Sequence, residues 1–428
     1  MHTNKILSIL LTILMPIQSH STEQLFSKQD SVSPELAKPG KYHVGVRTIS
    51  AINPKQLDFN DLSASTDRQL ILEVWYPSSK RSETAPSTTN ATYKDETRSG
   101  KPFTLQGEAY RDVTPNTALK PAPLIVLSHG YTGYRSMMFY LGEHLASHGY
   151  IVASIDHTDS TNKEIDFNKD SGAGFPSTLY NRARDQQFAL EFLNSNKSNF
   201  SHLINPKSAS VIGFSMGGYG AINTIGGCYD FSPETLTKLG FSKGSAATLA
   251  DKLNSCSAGR ISPDPRWKAM VSLAPWGGEQ GVHSPSSLAN IEVPTLLIGG
   301  DQDDVSGFEN GIAKLFIQLG SQFKYLMVYE NARHNIAAHP APAVAFENEL
   351  DLGHYFEASW NVEVITRINK HMILAFLNRH LKQDKTAEAY LPQRELATQM
   401  KNQKGELEPP WPGFPDRWAV GLRFIRGE

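Results

Sequence analysis

At 428 residues, with 41 Lys and Arg against 43 Asp and Glu and 39% hydrophobic residues, the chain is long enough to bury one large core with a small appendage. Its formal net charge of -2 at pH 7, with basic residues scattered and no basic stripe interleaved with aromatics, excludes the electrostatic footprint of a nucleic-acid binder. No apolar run approaches the roughly 20 residues of a membrane-spanning helix, so no stable membrane insertion is expected.

The chain starts with a cationic Lys5, an apolar run from Ile6 to Ile17, and small residues at Ser19 and Ser21. That pattern predicts a secretory signal peptide over 1–21 and hence a secreted or periplasmic protein. No cysteine sits near the cleavage point to take a lipid anchor. A polar extension over 22–42 precedes two strand-like segments, His43 to Ser50 and Gln69 to Tyr76, the second alternating Leu70, Leu72, Val74 and Tyr76. They predict an antiparallel lead-in hairpin. From about Pro77 to Lys120 the chain is rich in Ser, Thr, Asn and Lys without hydrophobic period and reads as a surface loop.

From Pro123 short apolar runs recur at Leu124 to Leu127, Ile151 to Ile155, Ala209 to Ile212, Ala269 to Leu273, Thr295 to Ile298 and Tyr325 to Tyr329, with helical stretches between them. Continuous apolar strands alternating with helices predict an α/β fold with a mostly parallel, buried sheet and helices on both faces. The main domain is expected over 43–385, its last helix running from about Asn361 to Lys382. The segment 227–266 interrupts the pattern as a lid-like insertion. Its Cys228 and Cys256, the only cysteines of the chain, are either a disulfide stapling that insertion or two buried thiols. The tail, 386–428, carries Trp411, Phe414, Trp418 and Phe424, which are expected to pack onto the domain.

The chemistry centres on Gly213-Phe214-Ser215-Met216-Gly217-Gly218, which follows an apolar run and opens a small-residue helix. This is the G-x-S-x-G pattern of a nucleophile elbow, in which a sharp strand-to-helix turn lifts the serine hydroxyl above the sheet. A serine needs a base, and the base needs an orienting acid, in the chain order Ser, Asp, His. The Thr295 strand leads into Asp301, Asp303 and Asp304, and the Tyr325 strand leads into His334. His334 is therefore the expected base and Asp303 the favoured acid. Two backbone amides should receive the developing oxyanion: that of Met216, and that of Tyr131 in the loop Ser128 to Gly133. His129 is expected to brace that loop, and His157 to bond its neighbours. No metal or organic cofactor is implied, since Asp166 to Asp170 has calcium-like spacing but no glutamate closes the loop.

On these residues, together with Val44-Gly45-Val46-Arg47, Glu73 to Pro77, Leu127 to Gly130, His144 to Tyr150 and Asp156-His157, the chain resembles the α/β-hydrolase superfamily. Within it the chain is similar to bacterial esterases grouped with platelet-activating-factor acetylhydrolases and predicted dienelactone hydrolases. Mammalian acetylhydrolases carry their acid just after the strand following the elbow helix; here Ala274-Pro275-Trp276 stands there, which returns the role to Asp303. Dienelactone hydrolases use cysteine where this chain has Ser215. Gly130-Tyr131-Thr132, Ala274-Pro275-Trp276 and Val293-Pro294-Thr295-Leu296 also look like polyester hydrolases and cutinases. That likeness implies an acyl clamp of Tyr131 and Trp276, the alternative being that Trp276 caps the sheet edge. The resemblance implies a serine esterase acting on a small-molecule or lipid ester, with a phospholipase-like acetylhydrolase, a polyesterase, or a binding protein on a hydrolase scaffold as alternatives.

Overall fold

The computed structural model describes residues 22–27, 32–79, 90–259, 262–396, 401, 404–406 and 409–427; the expected signal peptide lies outside them. Strands β1 (His43–Leu57) and β2 (Ser65–Ser78) pair antiparallel. Strands β3 (Thr92–Glu96) and β4 (Pro102–Gln106) form a separate two-stranded sheet, and β5 (Tyr110–Arg111) joins β1. The stretch 77–120 is therefore not a plain surface loop. Tyr93, Phe103 and Leu105 are buried, and alternation over five residues inside a polar segment is too short a signal to read as strand.

Strands β6 (Ala122–Ser128), β7 (Ile151–Asp156), β8 (Ile204–Phe214), β9 (Trp267–Leu273), β10 (Thr295–Gly300) and β11 (Lys324–Tyr329) run parallel. With β12 (Leu422–Arg426) they complete a ten-stranded sheet of order β12-β11-β10-β9-β8-β6-β7-β2-β1-β5. Leu124 to Leu127 have no exposed surface, because helices cover both faces; burying each such side chain contributes about 2 kcal/mol. On one face lie α1 (Phe139–Ser147) and the long C-terminal helix, which contact each other. On the other lie α2 (Phe175–Asn194) and α3 (Met216–Thr224), likewise in contact. Helix α1 stops where Gly149 takes φ +88°, a conformation glycine adopts without a Cβ penalty.

The insertion folds into α4 (Pro233–Lys238) and α5 (Lys243–Ala250), each started by a serine side chain accepting a backbone N–H. Cys228 and Cys256 are joined in a disulfide at its base. Helices α6 (Pro285–Ala289), α7 (Lys314–Gln318), α8 (Glu349–Leu352) and α9 (Val362–His380) complete the core. The described part of the tail packs onto the domain with Trp411, Phe414 and Phe424 buried, and it also supplies β12, which pairs antiparallel with β11. That edge strand was not apparent from the aromatic spacing.

Candidate active site

Strand β8 ends at Phe214, and the chain turns into α3 through Ser215 at φ +52°, ψ -115°. A side-chain-bearing residue there is strained by about 1–3 kcal/mol, and the surroundings hold it: Ser215 N donates to Leu273 O (2.9 Å), and Ser215 O accepts from Tyr219 N and Trp276 N at 3.0 and 3.2 Å. The turn needs glycine at 217, where a Cβ would lie 2.0 Å from the Ser128 carbonyl oxygen.

Loops at the carboxyl ends of β10 and β11 bring Asp303 and His334 to this serine. His334 Nε2 lies 3.0 Å from Ser215 Oγ, and His334 Nδ1 lies 3.0 and 2.9 Å from the two Asp303 carboxylate oxygens. Burial alone would raise the Asp303 carboxyl. The hydrogen bond and charge of His334, with backbone N–H donation from Ser306 (2.7 Å) and Val305 (2.9 Å), outweigh burial and hold it below the ordinary carboxylate range. The other two aspartates point elsewhere: Asp301 accepts from Asn331 N (2.6 Å), and Asp304 pairs with the exposed Arg333.

Gly130 packs so closely that a Cβ there would lie 3.2 Å from Ser215 Cβ, which sets the next residue, Tyr131, beside the elbow. The Met216 amide opens α3 and has no acceptor within the helix; neither it nor the Tyr131 amide donates to a backbone acceptor among the described residues. The Tyr131 hydroxyl donates to Ser171 O (2.8 Å) and its ring packs edge-on against Phe175 at 5.4 Å. Phe175 in turn meets Trp276 at 5.6 Å. Trp276 follows β9, which lies mid-sheet, so it stands at the carboxyl end of the sheet and not beside an outer strand. Phe175, third member of this aromatic wall, opens α2 and carried no sequence motif.

A second array of the same residue types lies behind the loop. Ser128 Oγ is 2.8 Å from His157 Nε2, and His157 Nδ1 is 2.9 Å from Asp185, which Arg68 grips through two nitrogens at 2.8 and 2.9 Å. Burial, then the charge of Arg182, push the His157 imidazole down to about 3, so the neutral ring donates to Asp185 and accepts from Ser128. Exposure separates the two arrays: Ser128, His157 and Asp185 are 0%, 1% and 0% exposed, against 6% for Ser215 and 8% for His334. The inner array is a brace. His129 extends it, accepting from His157 N at Nε2 (3.2 Å) and bonding Gly130 O from Nδ1 (2.7 Å), while Arg182 donates to His129 O (2.9 Å). Of this network, His129 and His157 were expected from sequence; Arg68, Arg182 and Asp185 sit in strand and helix positions that no motif marks.

A doubly covered, mostly parallel sheet with an elbow serine, a histidine and an aspartate at its carboxyl edge is the α/β-hydrolase fold. The platelet-activating factor acetylhydrolase, isoform II, family matches residues 38–184, a stretch that ends before the elbow. Cutinase est1 of Thermobifida alba is 30% identical over 183 residues, 42% of this chain and 43% of that protein. Cutinase 2 of Thermobifida cellulosilytica is 28% identical over the same share of this chain and 48% of its own. The Bos taurus platelet-activating factor acetylhydrolase is 41% identical over 63 residues, 14% of each chain. The chain spans less than half the length of these relatives. Among solved structures, a ferulic acid esterase from Streptomyces cinnamoneus superposes with a TM-score of 0.56 at 21% identity, over 82% of this chain and 94% of that one. The chain thus has the α/β-hydrolase fold, with a likeness in sequence to cutinases and acetylhydrolases.

Proposed function

We propose that the protein is a serine carboxylic ester hydrolase, secreted or periplasmic, that works through an acyl-enzyme. The observation that carries the reading is the continuous line Ser215 Oγ, His334 Nε2, His334 Nδ1, Asp303, with hydrogen-bond spacings of 3.0 and 2.9 Å, on an elbow at positive φ. In this reading Ser215 Oγ bonds to the ester carbonyl carbon as its proton passes to His334 Nε2. The oxyanion sits on the Tyr131 and Met216 amides, each such donor being worth about 3 kcal/mol. Collapse breaks the carbon–oxygen bond to the alcohol, which takes the proton from His334; water then repeats the sequence on the acyl-enzyme. Asp303 holds the imidazole tautomer. The substrate is a small or medium ester, and the Tyr131, Phe175 and Trp276 rings form an apolar wall beside the carbonyl. That wall, with the Thermobifida relatives, favours a polyesterase as second reading, and the family match favours a short-chain phospholipase.

The test is labelling by a fluorophosphonate followed by peptide mapping. An adduct on Ser215, absent in Ser215→Ala, is expected, and a folded protein that takes no label overturns the proposal. A panel of p-nitrophenyl acyl esters, a short-chain phospholipid and a polyester film then ranks the substrate readings.

A further inference from the structure

Arg98 lies in the turn between β3 and β4, partly buried, at the loop that carries Tyr131. Its Nη2 makes a long hydrogen bond to the Tyr131 carbonyl (3.5 Å), its guanidinium lies 5.3 Å from the centre of the Phe167 ring, and its Nε is enclosed with no acceptor. Among the described residues it forms no ion pair. The enclosed Arg68 and Arg135 each hold two carboxylates, Asp185 with Asp159 and Glu73 with Asp156, whereas Arg182, also without an ion pair among those residues, spends its donors on His129 O and Ser160 Oγ, acceptors Arg98 lacks. Asp351, whose charge bears on Arg98, is already engaged by Ser99 N (2.8 Å), the Ser99 hydroxyl and Asn348 Nδ2 (2.7 Å). Burial, partly offset by the neighbouring Tyr355 and Asp351, lowers the guanidinium to about 10, so it stays charged at neutral pH. A desolvated cation without a counter-ion is costly, and its position beside the oxyanion loop gives that cost a use.

The hydrogen bonds also fix its side of the site. Ser99 clasps α8 through Asp351, and the same segment is tied to the residues flanking His334: Asn335 Nδ2 donates to Gly353 O and Phe356 O (2.8 and 2.9 Å), and Arg333 N to Glu357 (2.9 Å). Arg98 thus borders the histidine flank through Ser99 and α8, with Phe167, on the segment whose Ser171 holds the Tyr131 hydroxyl, on its other side, whereas the Phe175 and Trp276 rings continue from the Tyr131 side chain. His334 hands its proton to the departing alcohol, so the alcohol portion of an ester occupies that flank. We propose that Arg98 is a specificity-determining residue that binds a carboxylate on the alcohol portion of the substrate ester. The proposal rests on the ester-hydrolase reading above.

The experiment compares phenyl acetate with 4-acetoxybenzoate, which places a carboxylate on the alcohol portion, and p-nitrophenyl butyrate with p-nitrophenyl hemisuccinate, which places it on the acyl portion. Arg98→Gln is expected to lower the ratio of kcat/KM on 4-acetoxybenzoate to that on phenyl acetate by about ten-fold or more, through KM. Arg98→Lys should recover part of the loss, and added salt should narrow the wild-type preference for the anion. Equal effects on both members of the first pair, or a loss confined to the hemisuccinate, overturn the proposal. Wild-type turnover of the neutral esters keeps the ester-hydrolase reading standing when Arg98 fails. Absence of turnover and of the Ser215 adduct fells both.

Discussion

Asp303 Oδ1 accepts backbone N–H groups from Val305 and Ser306 while the carboxylate faces His334 Nδ1. An amide in its place would offer an N–H where an acceptor is needed and turn the imidazole to the wrong tautomer. Asp303→Asn is therefore expected to lower kcat by about 10⁴-fold with KM nearly unchanged, measured on a p-nitrophenyl ester at neutral pH. A loss of less than ten-fold would move the orienting role away from Asp303. The inner array gives the opposite expectation. Ser128→Ala removes a hydroxyl that no substrate reaches, so it should keep the fluorophosphonate adduct on Ser215 and lose about 1 kcal/mol of stability through the orphaned His157 nitrogen, read by urea denaturation.

The disulfide closes a loop with a sequence separation of 28 residues and sits at the foot of the α4 and α5 insertion. Phe231, Leu236, Leu249 and Leu253 of that insertion share a buried apolar cluster with Met216, Tyr219 and Trp276, so the insertion backs the aromatic wall. Replacing both cysteines by serine is expected to cost about 3.5 kcal/mol by loop entropy. Equilibrium urea unfolding of the double variant checks this, and an unchanged midpoint would mean that packing alone holds the insertion. At this scale the sequence was readable wherever burial is complete. The six parallel strands announce themselves as apolar runs, and because each run also fixes its own carboxyl end, Ser215, Asp303 and His334 could be placed in order. Arg98, Phe175 and β12 could not. Their positions come from pairing and packing between segments far apart in the chain, and a polar hairpin or a single edge strand leaves no long apolar period.

Many of the described histidines are buried. Burial pushes His157 and His371 down to about 3 and His283 and His339 down to about 4. Their neutral state is used: His371 Nδ1 accepts from Leu36 N (3.0 Å), and His339 Nε2 meets the Tyr134 hydroxyl at 2.6 Å. Below about pH 6.5 the unfolded chain takes up protons at these rings and the folded chain does not, so stability is complete above that pH and falls as pH is lowered. Each ring removes about 1.4 kcal/mol per pH unit until its own folded value is reached. The melting temperature should fall steeply between pH 6.5 and about 4.5; a flat profile by circular dichroism would show that these rings are protonated in the fold.

The edge of the sheet beside β11 has a further consequence. Strand β11 delivers the loop of His334, and its outer neighbour β12 comes from near the carboxyl end of the chain, while Gly413 O also accepts the amide of Glu35 from the amino-terminal side. Without β12, the histidine-bearing strand is a bare template for a neighbouring chain, so loss of the segment beyond about residue 420 should yield aggregates rather than a smaller folded protein.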